Sequence, residues 1–166
     1  LLGPLQEIKR ILTLEHNGLF IDQVDGLINK VHCFGLHFAF IDIRQENEVH
    51  TRLINEILSL KQQSVGDYNA LSENDKIFYL NAGSWSVQST DFENELFADT
   101  ILTLNTITKI QDQYGEDACH RYIISQCSSS LNVIEVLTLF RAAGWNEDNI
   151  NVDIVPLFET IDDLIH

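Results

Sequence analysis

Apolar residues recur every three to four positions through the first sixty residues, and glycines interrupt the rhythm twice. Leu1, Leu5, Ile8, Ile11 and Leu12 share one helical face, and Pro4 suits a first helical turn. Asn17-Gly18 ends that helix. Ile21, Val24, Leu27, Ile28 and Val31 mark a second one, which Gly35 breaks. The period then changes. Leu36 to Ile43 is a nearly continuous apolar run, the pattern of a strand buried on both faces. Asp42 interrupts it, and a carboxylate buried there needs a partner, either Arg44 or a group on a neighbouring strand.

Val49, Leu53, Ile54, Ile57 and Leu58 return to the helical period, and Asp67 to Asn74 reads as a surface connection. Ser72 followed by Asp75 resembles a capping box opening a helix through Leu80. Ala82 to Thr90 is loop-like, and a long helix follows from about Asp91 to Tyr114, stopped by Gly115. The last third reads strand, helix, strand: Tyr122 to Ser125, Leu131 to Ala143 closed by Gly144, and Val152 to Phe158. At roughly 35 residues this unit has the length of a right-handed βαβ crossover. Pro156 donates no ladder hydrogen bond, so one irregular position is expected in the last strand. Thr160 with Asp163 opens a further helix. The expected fold is α/β, richer in helix than strand, with about three short parallel strands and neither internal repeats nor low-complexity tracts.

Composition narrows the function classes. Ten Lys and Arg against twenty-five Asp and Glu give a net charge of -15. This disfavours phosphate-neutralising contacts with nucleic acid and with anionic membrane surfaces, so neither is an expected partner. No apolar run approaches the roughly 20 residues that span a bilayer, and no basic segment precedes an apolar core as in a signal peptide. Cys33, Cys119 and Cys127 have no metal-ligand spacing, and reduced thiols in the cytoplasm are expected. No methionine is present, even at position 1, so an internal piece of a longer chain is expected.

The three strand candidates end at Arg44-Gln45, Ser125-Gln126 and Glu159-Thr160. Parallel strands wound with helices present such ends on one face, where barrel enzymes build their sites. A guanidinium offers a planar fork to phosphate or carboxylate. A carboxylate at the same mouth suits Mg²⁺, which takes only one or two protein carboxylates. Arg44 and Glu159 are therefore the site candidates. The plainer alternatives are an ion pair of Arg44 with Asp42 or Glu46, and a helix-start role for Glu159. Asp162 and Asp163 fit the helix-start role better than that of ligands. His32, His37 and His50 are scattered, Ser125 lacks a His-Asp pairing, and no glycine-rich phosphate loop occurs.

Five segments together resemble the phosphoenolpyruvate carboxylase family: FGLHFAFIDIRQ (Phe34 to Gln45), DYNALSENDKI (Asp67 to Ile77), YIIS (Tyr122 to Ser125), VIEVLTLFRAAG (Val133 to Gly144) and VPLFETIDDL (Val155 to Leu164). The resemblance implies an α/β barrel embedded in helices. It also implies an enzyme that carboxylates phosphoenolpyruvate with bicarbonate to oxaloacetate and phosphate, using Mg²⁺ or Mn²⁺ and no biotin. By the same resemblance Arg44 of DIRQ contacts the substrate phosphate, and Glu159 of PLFET is one metal ligand. Members commonly carry Arg before the His that follows DIRQ, and Val49 stands there, which weakens a role for His50. The family's TAHPTE histidine, GYSDS-like second metal carboxylate and HGRGG loop have no counterpart here. Residues 1–166 are thus expected to be a single piece of the barrel region, without a complete catalytic domain and silent in isolation. The rest of the parent chain would complete it, in a cytoplasmic homo-oligomer feeding the tricarboxylic acid cycle. A noncatalytic assembly or scaffold domain, and another barrel lyase acting on a phosphorylated acid, are the rival readings.

Overall fold

The computed structural model describes residues 1–35, 37, 39–61, 68–146, 148 and 150–164, and the side chain of Asp162 lies outside that description. Two compact units emerge, Leu1–Phe40 and Ile41–His166. In the first, α1 (Leu2–Glu15) and α2 (Ile21–Phe34) form a hairpin. Its turn uses positive φ at Asn17, Gly18 and Phe20, and Lys9 reaches Asp25 across the pair at 2.7 Å. Both helices match the apolar rhythm of the sequence.

The second unit is an α/β body whose three strands are all parallel. β1 (Asp42–Glu46), β2 (Arg121–Ser125) and β3 (Asp153–Pro156) lie in the order β1-β2-β3. Between β1 and β2 run α3 (Asn47–Leu60), α4 (Glu73–Ala82) and α5 (Glu95–Tyr114), and α6 (Ser130–Ala142) is the crossover to β3. Parallel neighbours with a helical crossover are what the strand-helix-strand pattern dictates.

The first strand lies later than the apolar run suggests. Leu36 and Phe38 are outside the described residues, while Phe40 and Ile41 are 53% and 47% exposed and precede the ladder. Pairing sets the strand. Ile41 N–H donates to Ala118 O, and full register with β2 begins at Asp42↔Arg121. The element is therefore the polar sequence DIRQE. Asp42 is correspondingly not a buried carboxylate; it is exposed and meets its register partner Arg121 at 3.3 Å.

Local chemistry accounts for most helix ends. Ser72 Oγ accepts from Asp75 N–H at 3.2 Å and donates to the Asp75 carboxylate at 2.6 Å, a variant of the expected box. Asp67, at the start of the expected surface connection, lies outside the described residues. α5 begins four residues after Asp91 because Asn94 caps it, its Oδ1 accepting from Leu96 N–H, while Ser89–Asp91 forms a separate 3-10 turn. Gly115 at φ 94 ends α5 in a conformation that side chains resist. β3 is shorter than expected, and Pro156 falls at its end on an edge strand, where a missing N–H costs least. Past it, a 3-10 turn (Asp162–Leu164) replaces the expected helix.

One face of the sheet, through Tyr122 and Ile124, packs on the helices. Leu53, Ile54 and Ile57 of α3, Ile101, Leu104 and Ile107 of α5, and Val136, Leu139 and Phe140 of α6 complete that core. Tyr122, Phe140 and Trp145 meet edge to face, with centroids 5.6 and 5.2 Å apart. Gly83 lies against the Trp85 ring so closely that an added Cβ would come within 2.2 Å of it. The opposite sheet face presents the register row Arg44↔Ile123↔Val155.

Candidate functional site

Strand alternation puts Arg44 on the face of β1 opposite Ile43 and the α3, α5 and α6 core, and β3 leads through Leu157 and Phe158 to Glu159. Arg44 is the third of five strand residues, so it does not itself end the strand. Its side chain supplies the reach. Arg44 Nη2 donates to Glu159 Oε1 at 2.5 Å, with the two side chains 57% and 33% exposed. β1 and β3 are not neighbours; β2 lies between them, and two strand spacings amount to about 10 Å. The pair therefore links β1 to the segment following β3, although the two strands do not pair with each other. Of the alternatives for Arg44, neither Asp42 nor Glu46 is its partner.

Glu159 is held by its own backbone. Asp163 Oδ2 accepts from Glu159 N–H at 2.9 Å and from Thr160 N–H at 2.8 Å, and Asp163 N–H donates to Thr160 Oγ1 at 3.2 Å. The two backbone donors hold the Asp163 carboxyl below the usual carboxylate range. Asp163 thus holds the backbone that leads into the 3-10 turn rather than the start of an α-helix, and Glu159 is left to face Arg44. Among the described residues Glu159 Oε2 makes no hydrogen bond, so one hard oxygen remains available to a cation. No group of three or more His, Cys, Asp or Glu converges among the described residues.

The other polar groups near the strand ends are structural. Ser125 is buried and its hydroxyl donates to Gln45 O at 3.3 Å. His50 is fully buried on α3, with Nε2 2.9 Å from Tyr122 Oη. Burial pushes its pKa down to about 4, so the ring is neutral near pH 7 and ties α3 to β2. Val49 beside it is buried too, so that departure from the family pattern falls in the core. A cleft of about 680 Å³ lies elsewhere: Lys109, Trp145 and Asn151 line it, and Asn151 lies two residues before β3, toward the amino-terminal end of the sheet. The Arg44–Glu159 contact lies toward the opposite, carboxyl-terminal end of the sheet.

Three residues with no pronounced sequence signal stand behind the mouth. Asn47, the first residue of α3, donates from Nδ2 to Gln126 O at 2.5 Å. Asn132 Oδ1 accepts from Ser128 N–H at 3.1 Å and Ser129 N–H at 3.3 Å. Glu135, fully buried, accepts from the Thr51 hydroxyl at 2.8 Å, and burial raises its pKa. A trace of two of them was present in the sequence: Ser129 and Asn132 have capping-box spacing, and Glu135 is the lone charge in VIEVLTLF.

Comparison with known proteins gives a consistent picture. The family model described as Phosphoenolpyruvate carboxylase matches residues 1–166. The chain is similar to the Phosphoenolpyruvate carboxylase of a Synechocystis strain, 34% identical over 172 residues covering 99% of this chain and 16% of that protein. It is also similar to those of Trichormus variabilis, 33% identical over 98% of this chain and 16% of the relative, and of a Prochlorococcus marinus strain, 33% over 88% and 15%. The chain thus spans about one sixth of the length of these relatives.

Proposed function

The chain belongs to the phosphoenolpyruvate carboxylase family, and from that premise we propose that it supplies one wall of such an enzyme's active site. Arg44 binds the phosphate of phosphoenolpyruvate and Glu159 ligates Mg²⁺ or Mn²⁺, without biotin. The whole enzyme carboxylates phosphoenolpyruvate with bicarbonate to oxaloacetate and phosphate. The observation that carries this reading is the contact between Arg44 and Glu159 at the carboxyl end of parallel strands.

The pair has the right energetics for such a site. An ion pair this exposed is worth about 0–1 kcal/mol, because water screens it. A phosphate dianion offers Arg44 a better bidentate partner than one carboxylate oxygen. As the phosphate takes the guanidinium, Glu159 is released with both oxygens toward the cation side of the mouth. Glu159 would hold a divalent ion there, and such an ion would supply positive charge to offset negative charge developing on the substrate. Arg44 supports the same charge from the β1 side, and Asp163 keeps Glu159 from swinging away.

The remaining groups of the site, the second carboxylate and the glycine-rich arginine loop, come from the rest of the chain, which also closes the three strands into a barrel. We place the enzyme in the cytoplasm as a homo-oligomer supplying oxaloacetate to the tricarboxylic acid cycle. Mn²⁺ titration of the full-length enzyme, followed by electron paramagnetic resonance, tests the metal assignment. Glu159→Gln should weaken Mn²⁺ binding at least tenfold, and unchanged binding would remove Glu159 from the metal site.

A further inference from the structure

The Arg44–Glu159 pair depends on something besides the two residues, because their strands do not touch. Between the ends of β1 and β3 lies the turn Gln126–Ser129, which follows β2. It is gripped from both sides. Toward β3, Cys127 N–H donates to Leu157 O at 3.1 Å, two residues before Glu159, and Leu157 N–H donates back to Ile124 O at 2.9 Å. Toward β1, the grip is Asn47, three residues after Arg44, whose side-chain amide donates to Gln126 O at 2.5 Å. Gln126 itself has φ 55, a conformation that a non-glycine residue holds only when its surroundings impose it.

We propose that Asn47 is a positioning residue which, by anchoring the Gln126 carbonyl, sets the separation of Arg44 and Glu159. This rests on the assignment of those two residues to the active site. Asn132 backs the turn from beneath, binding Ser128 and Ser129 N–H and lying 3.5 Å from the Asn47 amide. One turn further along both helices, Thr51 donates to Glu135, so α3 and α6 are joined at two successive levels. Asn47 and Thr51 are four apart on α3, and Asn132 and Glu135 three apart on α6, which places each pair on one helix face. Removing Asn47 leaves the upper level open and frees the turn that carries Leu157, and Glu159 with it, to shift relative to β1. A displacement on the order of 1 Å is enough to cost up to about 10²-fold in rate.

A double-mutant cycle in the full-length enzyme separates positioning from simple destabilisation. Asn47→Ala should lower kcat/KM for phosphoenolpyruvate by about tenfold or more. In an Arg44→Lys background, where the bidentate fork is already lost, the same change should cost less than about twofold, because the two residues act through one contact. Should Asn47→Ala fail to fold, Asn47→Asp serves instead, since an acid is favourable at a helix start and lacks the N–H donor. An equal loss in both backgrounds, or no loss in the wild-type background, would overturn the positioning role and leave the site assignment standing. Arg44→Lys without effect on kcat/KM would overturn both.

Discussion

Arg44 and Glu159 are separated by 115 residues of sequence and two strand spacings, yet their side chains meet at 2.5 Å. Arg121, the first residue of β2, finds its partner one strand away in Asp42. Arg44 instead meets a carboxylate on the segment that follows β3, a strand with which β1 does not pair. That geometry draws a guanidinium fork and a carboxylate to one spot, and it depends on the β-strands being parallel.

The 166-residue chain on its own should show no carboxylase turnover. Its described residues converge no metal site of three or more ligands, and each missing charge-stabilising contact is worth on the order of 10²-fold in rate. A coupled assay for oxaloacetate that depends on both phosphoenolpyruvate and bicarbonate should stay at background. Turnover by the pure segment would show that the site is complete without the rest of the enzyme.

His50 should make the second unit acid-sensitive. Its pKa is lowered from 6.5 to about 4 by burial, so its contribution to stability is present above pH 6.5 and is lost as pH falls through 4. The shift corresponds to on the order of 3 kcal/mol. Urea unfolding at pH 7 and pH 4 should show that much less loss in His50→Gln than in wild type. Equal losses in the two proteins would mean that the ring titrates freely in the folded state.

Glu135 should act with the opposite sign. Burial raises its pKa above the ordinary 4.5, so its stabilising share is full below about pH 4.5 and declines as pH rises through the folded-state value. Glu135→Gln keeps an acceptor for Thr51 and has no proton to lose. The variant should therefore gain on wild type as pH is raised from 5 to 8, read from unfolding midpoints. A stability difference that does not change with pH would contradict the buried ionisation.

Gly83 should not tolerate a methyl group. The Cβ of Gly83→Ala would meet the Trp85 ring at 2.2 Å, and that ring is fixed by its Nε1–H bond to Leu80 O at 3.0 Å. Overpacking of this kind costs about 1–3 kcal/mol. Thermal unfolding of Gly83→Ala should show it, together with a change in tryptophan fluorescence; an unchanged melting temperature would mean that the loop yields freely.

Much of this architecture is visible in the residues themselves. The apolar periods of α1 to α6, the Ser72 cap and the Gly115 stop are local signals, and local physics decides them. The parallel arrangement follows from the crossover spacing, and the convergence of Arg44 and Glu159 follows from that arrangement. The position of β1 was less legible, because Phe40 and Ile41 carry the apolar signal while the ladder with β2 selects DIRQE. Asn47, Asn132 and Glu135 were not legible as a group. Their contacts join residues some eighty positions apart, and polar pairs at that distance leave no period in a sequence.

The most direct measurement of the central claim is steady-state kinetics of Arg44→Ala and Glu159→Ala in the full-length enzyme, with phosphoenolpyruvate and Mg²⁺ varied independently. Each substitution should lower kcat/KM by at least about 10²-fold. The Arg44 variant should also raise KM for phosphoenolpyruvate, and the Glu159 variant should raise the Mg²⁺ concentration needed for half-activation. Near-normal kcat/KM in either variant, with both dependences unchanged, would contradict the claim that this pair forms one wall of the active site.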